Sequence, residues 1–306
     1  MTRTPKIIRT ISELRQEVNA YRRSLVTAGG TVGFVPTMGY LHEGHASLLA
    51  RSKADNGLTV LSIFVNPLQF GPNEDLSRYP RDEERDLALA AREGVDIAFL
   101  PSVEEMYPQY PLLTTVSVAQ VTDHLCGASR PGHFDGVAAV VAKLFNIVQP
   151  DRAYFGLKDA QQVAVITQMV RDLSIPVEIV PCPIVREQDG LALSSRNVYL
   201  NDEERLQSLA LSRSLSKADG WIAEGASAVQ LSRKLSEDIR NSPLADIDYV
   251  EIVSYPDMRR LEGNEPLREA AQSILIALAV RFGRTRLIDN KLVNPIEAGE
   301  LVCSAK

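Results

Sequence analysis

Two histidines three positions apart, His42 and His45, have the types and spacing in this sequence that most directly suggest chemistry. They stand in the run PTMGYLHEGH, residues 36–45. The apolar residues 32–35 predict a buried strand before them, and residues 46–54 are rich in good helix formers. Backbone N–H groups at a helix N-terminus favour an anion, most often phosphate. This strand-to-helix junction therefore predicts an anion-binding site.

The same run has two simpler interpretations. Two solvated histidines on a surface loop would give this pattern, and so would part of a zinc site, although no cysteine or obvious third ligand is nearby. Gly39 and Gly44 would let a ligand approach the backbone closely. The residues His-Glu-Gly-His resemble the HxGH signature of the nucleotidylyl-transfer superfamily, whose members activate substrates with ATP.

Further polar residues follow other predicted strands. Gln69 lies in a loop rich in Pro, Gly and Asn after the predicted strand 58–65, and its amide can both donate and accept. Because ligands bind at the carboxyl ends of strands in open α/β sheets, we expect Gln69 at the same edge as the histidines. Lys158 opens a helix after the predicted strand 152–155, where it can pair with phosphate. The alternative interpretation of Gln69 is an ordinary polar residue of a turn, and that of Lys158 is a solvated lysine.

A third segment, VREQDGLALSSRN at residues 185–197, breaks the alternation of strands and helices. Ser194, Ser195 and Arg196 offer several hydrogen-bond donors to a polyphosphate. A helix cap followed by a turn is the alternative interpretation.

Composition limits the class of protein. The chain has 306 residues, of which 45% are hydrophobic and 24% charged, which is ordinary for a globular protein with a real core. The net charge of −6 argues against a general nucleic-acid surface. We expect a cytoplasmic protein with no membrane association, because no apolar run approaches a membrane span and the N-terminus lacks a signal-type stretch. Cys126, Cys182 and Cys303 form no disulfide framework, and we expect two core thiols and one in the tail.

The elements that must position these residues follow from periodicity. A capping box at Thr10–Glu13 opens a first helix, whose apolar face extends to Leu25, and Gly29-Gly30 ends this helical unit. Strands alternating with helices over about 150 residues predict an α/β fold with a doubly wound, mostly parallel sheet. Beyond residue 200, two helices followed by three strands predict a smaller α+β domain. The predicted sheet strands are 32–35, 58–65, 95–100, 114–118, 152–155 and 177–180, and the later elements are helices 202–224 and 226–240 and strands 249–253, 274–280 and 284–292.

Taken together, the segments closely resemble the pantoate–β-alanine ligase family. The matching pieces occur in family order and cover roughly residues 31–292. They are PTMGYLHEGH, SIFVNPLQFGPNEDLSRYPR, GHFDGVAAVVAKLFNIVQPDRAYFG, KDAQQ, VREQDGLALSSRN and GRTRLIDN. So long an ordered match is far more specific than the HxGH motif alone.

The resemblance implies an activity and a fold. ATP would activate pantoate as pantoyl adenylate and release pyrophosphate, and β-alanine would then attack to give pantothenate and AMP. The expected fold is a Rossmann-like ATP- and pantoate-binding domain, 1–185, with a small C-terminal α+β lid, 186–306, usually in a homodimer. Mg²⁺ should arrive with ATP and keep several waters, with Asp86 and Asp159 as candidate partners in its second shell.

The resemblance also implies roles for individual residues. Gln69 and Gln162 match pantoate-binding glutamines, with Gln69 also implicated in β-alanine binding, and His45 matches the proton donor. The expected catalytic set is His42, His45, Lys158, Ser194, Ser195 and Arg196. The expected ATP contacts are Met38, Gly39, Tyr40, Leu41, His42, Glu43, Gly44, His45, Gly156, Leu157, Lys158, Asp159, Val185, Leu193, Ser194, Ser195 and Arg196. Two positions depart from the family pattern, which commonly has Glu at Leu157 and Met at Leu193.

Three rival functions remain to be distinguished. A transferase that keeps the nucleotide in its product would share the HxGH and Ser-Ser-Arg elements, but the two pantoate-type glutamines argue against it. A small aminoacyl-tRNA synthetase is disfavoured by the acidic charge balance. A non-catalytic nucleotide-binding protein is disfavoured by the intact His42, His45, Lys158 and Arg196. Product analysis would separate these alternatives.

Overall fold

The computed structural model describes residues 4–24, 30–72 and 74–294. The chain divides into two units, one of Met1–Val118 with Arg130–Val185 and one of Ala119–Ser129 with Arg186–Lys306. The expected boundary between residues 185 and 186 differs from this division in one segment, because Ala119–Ser129 groups with the second unit. Leu25 and Gly29, expected at the end of the first helical unit, and Cys303, expected in the tail, lie outside the described residues.

The secondary structure alternates as the sequence predicts. The strands are β1 (Lys6–Ile8), β2 (Val32–Thr37), β3 (Leu58–Ile63), β4 (Ile97–Phe99), β5 (Arg152–Gly156), β6 (Glu178–Cys182), β7 (Ala245–Ser254), β8 (Ile274–Phe282) and β9 (Thr285–Val293). The helices are α1 (Ile11–Ser24), α2 (Glu43–Asp55), α3 (Glu83–Arg92), α4 (Val103–Met106), α5 (Leu125–Ser129), α6 (His133–Val148), α7 (Ala160–Asp172), α8 (Asp202–Ser208), α9 (Ala210–Ala223) and α10 (Ala228–Arg240).

The first unit is built on a six-stranded sheet in the order β1-β4-β3-β2-β5-β6. Every pairing in this sheet is parallel. The chain moves outward from β2 through β3 to β4 on one side, then continues through β5 to β6 on the other. The order therefore reverses between β2 and β5, and such a switch point is where open α/β sheets bind ligands. The doubly wound parallel sheet is confirmed.

Apolar strands and helices close the core of this unit. Phe34, Leu61, Tyr154 and Leu49 come from β2, β3, β5 and α2, and none of them is exposed. A Cβ at Gly33 would lie 2.3 Å from the Ser52 hydroxyl oxygen, so glycine lets α2 pack directly on β2. This close packing sets the position at which α2 begins.

The second unit contains an antiparallel sheet in the order β7-β8-β9. Gly283, with φ of +58°, lies in the hairpin turn between β8 and β9. Leu231 and Leu235 of α10 and Leu278 and Val280 of β8 lie in its buried apolar cluster. Helices followed by an antiparallel sheet confirm the smaller α+β fold, whereas its action as a lid stays a prediction.

Three local predictions need correction. Residues 114–118 form no strand, because their β-branched composition favours a sheet but most of the segment is exposed and finds no partner strand. Strand β1 was missed, since three residues are too few for a periodic pattern. The predicted helix 202–224 is two helices, α8 and α9, which meet at Leu209.

The remaining sequence predictions concern α1 and the cysteines. Thr10 does open α1, because its hydroxyl accepts the Glu13 N–H at 3.3 Å. Cys126 and Cys182 are free and buried, as predicted for core thiols. Within the described residues, no helix is long and apolar enough to cross a membrane.

Candidate active site

The loop from β2 to α2 turns sharply before the histidines. Gly39 has φ of +85° and Tyr40 has φ of +50°. A Cβ at Gly39 would lie 2.9 Å from Ile63 and 3.0 Å from the Asp86 carboxylate, so both conformation and space require glycine. The Thr37 hydroxyl accepts the Gly39 N–H at 3.2 Å and donates to the Ser62 carbonyl at 2.8 Å, which ties the turn to β3.

The Asp86 carboxylate holds this loop from α3. It accepts the Tyr40 N–H at 2.8 Å and the Leu41 N–H at 2.6 Å, and its side chain is only 1% exposed. Burial raises the pKa of Asp86 above its ordinary value, although the two N–H donors oppose that rise. Asp86 was expected as a candidate partner of magnesium, but both of its oxygens are occupied by the loop backbone.

The two histidines cap α2 reciprocally. His42 Nδ1 accepts the Gly44 N–H at 3.1 Å, and His45 Nδ1 accepts the His42 N–H at 3.3 Å. Their ring centroids are 4.1 Å apart. A backbone N–H can only donate, so Nδ1 of each ring carries no proton. Each neutral ring therefore carries its proton on Nε2, where it is a hydrogen-bond donor.

The charge state of both rings follows from burial. Burial, then the charges of Lys158 and Arg85, lower the pKa of His42 to about 4. Burial, then His42 and Lys158, lower the pKa of His45 well below its ordinary value. His45 keeps partial solvent contact, yet the surrounding protein atoms desolvate its ring enough to disfavour the cation. At neutral pH both rings are uncharged.

Lys158 lies at the matching position on the other side of the switch point. It stands in the 3₁₀ turn Leu157–Asp159, between β5 and α7. The charge of Lys158 contributes to lowering the pKa of both histidine rings, so the structure brings the HxGH and KDAQQ motifs close together. Apart from Gly156 itself and its two neighbours in the chain, no described residue comes within 4 Å of a Cβ built at Gly156, which leaves open space at the end of β5.

The two predicted pantoate-binding glutamines follow strands on either side of β2. Gln69 ends the 3₁₀ turn Pro67–Gln69 after β3, and Gln162 lies in the first turn of α7 after β5. Because β3 and β5 both pair in parallel with β2, both glutamines belong to the sheet edge that carries the histidines.

Asn66 fixes the Gln69 amide and was not among the predicted site residues. Its Nδ2 donates to Gln69 Oε1 at 3.0 Å, and its Oδ1 accepts from the Tyr107 hydroxyl at 2.8 Å and from the Leu68 N–H at 3.2 Å. Asn66 is 1% exposed. With Oε1 held, the NH₂ group is the end of the Gln69 amide that is left to meet a ligand. An Asn directly before Pro, a turn-capping signal, would have pointed to this residue.

The remaining predicted ATP contacts lie elsewhere in the chain. Val185 is the last residue of the first unit, whereas Leu193, Ser194, Ser195 and Arg196 belong to the second. The Ser194 hydroxyl accepts the Arg196 N–H at 3.3 Å and caps the 3₁₀ turn Ser195–Tyr199. That these residues reach ATP stays a prediction.

Comparison with known proteins settles the family. A family model described as pantoate-beta-alanine ligase matches residues 6–292. The chain belongs to the pantoate–β-alanine ligase family. A relative from Caldicellulosiruptor saccharolyticus named pantothenate synthetase is 56% identical over 288 residues, which cover 94% of this chain and 99% of the relative. Another of that name, from Geobacillus kaustophilus, is 54% identical over 291 residues, covering 95% and 93%.

Solved ligase structures agree with this assignment. The crystal structure of pantothenate synthetase from Thermus thermophilus superposes with a TM-score of 0.83 at 48% identity, covering 94% of this chain and 98% of that one. A Francisella tularensis pantoate–β-alanine ligase described as complexed with β-γ ATP and β-alanine gives a TM-score of 0.75 at 33% identity, covering 95% and 99%. The ligase family accounts for the chain almost from end to end.

The tautomers of His42 and His45 are open to a direct test. In ¹⁵N ring spectra, both should stay neutral with the proton on Nε2 from about pH 8 down to about pH 5, because burial opposes the cation. A ring that titrates near its ordinary pKa, or carries its proton on Nδ1, would contradict the capping geometry. The chain has 4 histidines, so single His→Gln variants suffice to assign every ring signal.

Proposed function

We propose that this chain ligates pantoate and β-alanine at the switch point of the first unit, with the residues described above in named roles. The observation that carries the proposal is that His42, His45, Lys158, Gln69 and Gln162 all follow the parallel strands β2, β3 and β5, at one edge of the sheet. The first three suit a polyphosphate, and the two amides suit a substrate that has both a carboxylate and hydroxyls. The Francisella relative described with β-γ ATP and β-alanine supports the same substrates here.

The first step joins pantoate to the nucleotide. A pantoate carboxylate oxygen attacks the α-phosphorus of ATP, the bond from that phosphorus to the bridging oxygen breaks, and pyrophosphate leaves with the electron pair. The carboxylate needs no base, so the barrier is the approach of an anion to a polyanion. Lys158 supplies positive charge, and the α2 N-terminus and the two Nε2–H groups supply donors that are already oriented.

The neutral histidines refine the role expected for His45. In the free chain, burial holds the pKa of His45 well below its ordinary value, and the capping geometry places its single ring proton on Nε2. His45 therefore acts by donating a hydrogen bond from Nε2 to the phosphate oxygens on which charge accumulates. Its Nδ1 remains engaged with the His42 N–H, which keeps the ring oriented.

The second step releases AMP. The neutral amine of β-alanine attacks the carbonyl carbon of the adenylate, the bond from that carbon to the phosphate oxygen breaks, and AMP leaves with that oxygen. The attacking nitrogen loses one proton to solvent as the amide forms. Gln69 holds the acyl group close to the amine, and proximity supplies much of the acceleration.

Magnesium belongs to the ATP substrate in this proposal. Among the described residues, no group of three or more His, Cys, Asp or Glu side chains could hold a metal ion. Phosphate oxygens and water would therefore supply most of its ligands, as Mg²⁺ prefers. Asp86 is committed to the loop backbone, so Asp159, at the start of α7, is the remaining candidate for a bond to metal-bound water.

The other expected properties complete the proposal. Ser194, Ser195 and Arg196 bind the phosphates when the second unit closes as a lid, which excludes water from the adenylate. Val185 and Leu193 flank the nucleotide. The enzyme works as a homodimer in the cytoplasm, as the family resemblance implies.

Pyrophosphate exchange tests the order of the two steps. With pantoate and Mg²⁺ alone, the enzyme should exchange labelled pyrophosphate into ATP, because nothing in the first step needs the amine. β-Alanine alone should support no exchange, since it lacks the hydroxyls that the two amides would read. If neither exchange nor enzyme-bound adenylate is found by mass spectrometry while pantothenate still forms, the two-step mechanism is wrong.

Lys158→Ala tests the phosphate site. We expect adenylate formation to fall by about 100-fold or more, the scale of losing one oriented transition-state contact. The thermal unfolding midpoint should change little, because Lys158 is partly exposed at the sheet edge. Lys217→Ala, which removes a surface lysine paired with Asp238 in the second unit, is the matched control. Activity of folded Lys158→Ala within a few-fold of the parent would refute the role.

A further inference from the structure

The GHFDG run, residues 132–136, begins α6 and has no role in the proposed mechanism. Here α6 lies directly against the 3₁₀ turn that carries Gln69. A Cβ at Gly136 would come within 2.1 Å of the Leu68 carbonyl oxygen and 2.9 Å of the Gln69 nitrogen. These are backbone atoms that cannot swing aside, so glycine is required for helix and turn to meet. Asn66 Nδ2 also donates to the Gly136 carbonyl at 3.0 Å.

His133, in the first turn of α6, binds the main chain of Gln69. Its Nδ1 lies 2.8 Å from the Gln69 carbonyl oxygen, and its Nε2 lies 3.1 Å from Arg130 Nη1. A carbonyl only accepts and a guanidinium only donates, so a single tautomer satisfies both partners: Nδ1 carries the proton and Nε2 accepts. Burial, then the charge of Arg130, lower the pKa of His133 to about 4, so the ring is neutral at physiological pH.

Arg130 extends the network to a carboxylate. Its Nη2 donates to the Gln69 carbonyl at 3.3 Å, and its Nε donates to Glu74 at 2.8 Å within a two-pronged ion pair. The Arg130 side chain is 16% exposed and that of Glu74 is 26% exposed. Burial tends to raise the pKa of Glu74, but Arg130 outweighs it, so the net pKa is lowered and the carboxylate stays charged. The guanidinium is thereby fixed in the orientation that serves His133 and Gln69.

We infer that Arg130, His133 and Gly136 are positioning residues for pantoate, which hold the backbone of Gln69 so that its amide meets the substrate. The inference rests on the proposed role of Gln69. Two hydrogen bonds fix its carbonyl, Asn66 fixes its Oε1, and the close approach at Gly136 fixes the turn. The amide of Gln69 is then oriented before pantoate arrives, which saves the cost of ordering it on binding.

His133→Ala should weaken pantoate use selectively. We expect the KM for pantoate to rise about 10-fold or more, since small misplacements of an orienting group are costly. The KM for ATP should change less than about 3-fold, because the residues proposed to bind phosphate follow β2 and β5 and not the Gln69 turn. His133→Asn should recover part of the loss, since its amide can donate to the Gln69 carbonyl. Asn146→Ala, an exposed position on the same helix, is the control.

A double-mutant cycle with Gln69→Ala separates positioning from general stabilisation. If His133 acts through Gln69, then His133→Ala should add little to the pantoate defect of Gln69→Ala. Additive defects would overturn the inference while leaving Gln69 as a pantoate ligand. An unchanged KM for pantoate in Gln69→Ala would instead overturn the proposed role of Gln69, and with it the inference. Should His133→Ala fail to fold, the cycle is run with His133→Asn.

Gly136→Ala gives an independent test from the backbone side. The added methyl must displace the Gln69 turn, so the KM for pantoate should rise at least as much as in His133→Ala. Gly220→Ala is the matched control, because a Cβ at that helical glycine meets open space among the described residues. A Gly136→Ala enzyme that is folded and keeps the parent KM for pantoate would contradict the inference.

Discussion

The site depends on buried Asp86, which accepts two hydrogen bonds from the backbone of the loop before α2. They hold the N–H groups of Tyr40 and Leu41, directly before the residue at which the helix is capped. Burial raises the pKa of this carboxyl, and the carboxylate remains there because the loop donates to both of its oxygens. The turn at Gly39 and Tyr40 is therefore held in place by Asp86 of α3. The positions of His42 and His45 follow from it, because their rings bind backbone atoms of the same loop and helix turn.

This arrangement supplies hydrogen-bond donors rather than extra cations. The rings of His42 and His45 are kept neutral by burial and by Lys158, which lower the pKa of both, and each presents Nε2–H. The pKa of each ring is lower in the folded chain than in the unfolded chain, so the folded chain takes up these protons only at lower pH. Between about pH 6.5 and about pH 4, the unfolded chain therefore binds more protons, and the free energy of unfolding falls as the pH is lowered. In the proposed site, Lys158 and the two Nε2–H groups together would bind the phosphates of ATP.

The sequence predicts a doubly wound, mostly parallel sheet and the helix that follows the histidines, because buried strands and helices leave strong periodic signals. It predicts the edge shared by the HxGH motif, Lys158 and the glutamines, since all of them follow parallel strands. It does not reveal that Asp86 binds the loop before α2. Its two hydrogen-bond partners there, Tyr40 and Leu41, precede it by 46 and 45 positions in the chain. The tautomers of the histidines and the support of Gln69 by Asn66 and His133 likewise depend on tertiary contacts. Residues 114–118 show the opposite kind of error. Their composition favours a strand, but no neighbouring strand pairs with them.

The attack of the pantoate carboxylate on the α-phosphorus is the central step of the proposed function, and isotope transfer tests that step most directly. Pantoate labelled with oxygen-18 in both carboxylate oxygens should be turned over with ATP, Mg²⁺ and β-alanine. If the carboxylate attacks the α-phosphorus and the amine then cleaves the carbonyl–oxygen bond, each AMP should carry one labelled oxygen, while pyrophosphate carries none. Pantothenate should retain the other label. Unlabelled AMP, or label in the released pyrophosphate, would contradict the adenylate mechanism and the site assigned to it.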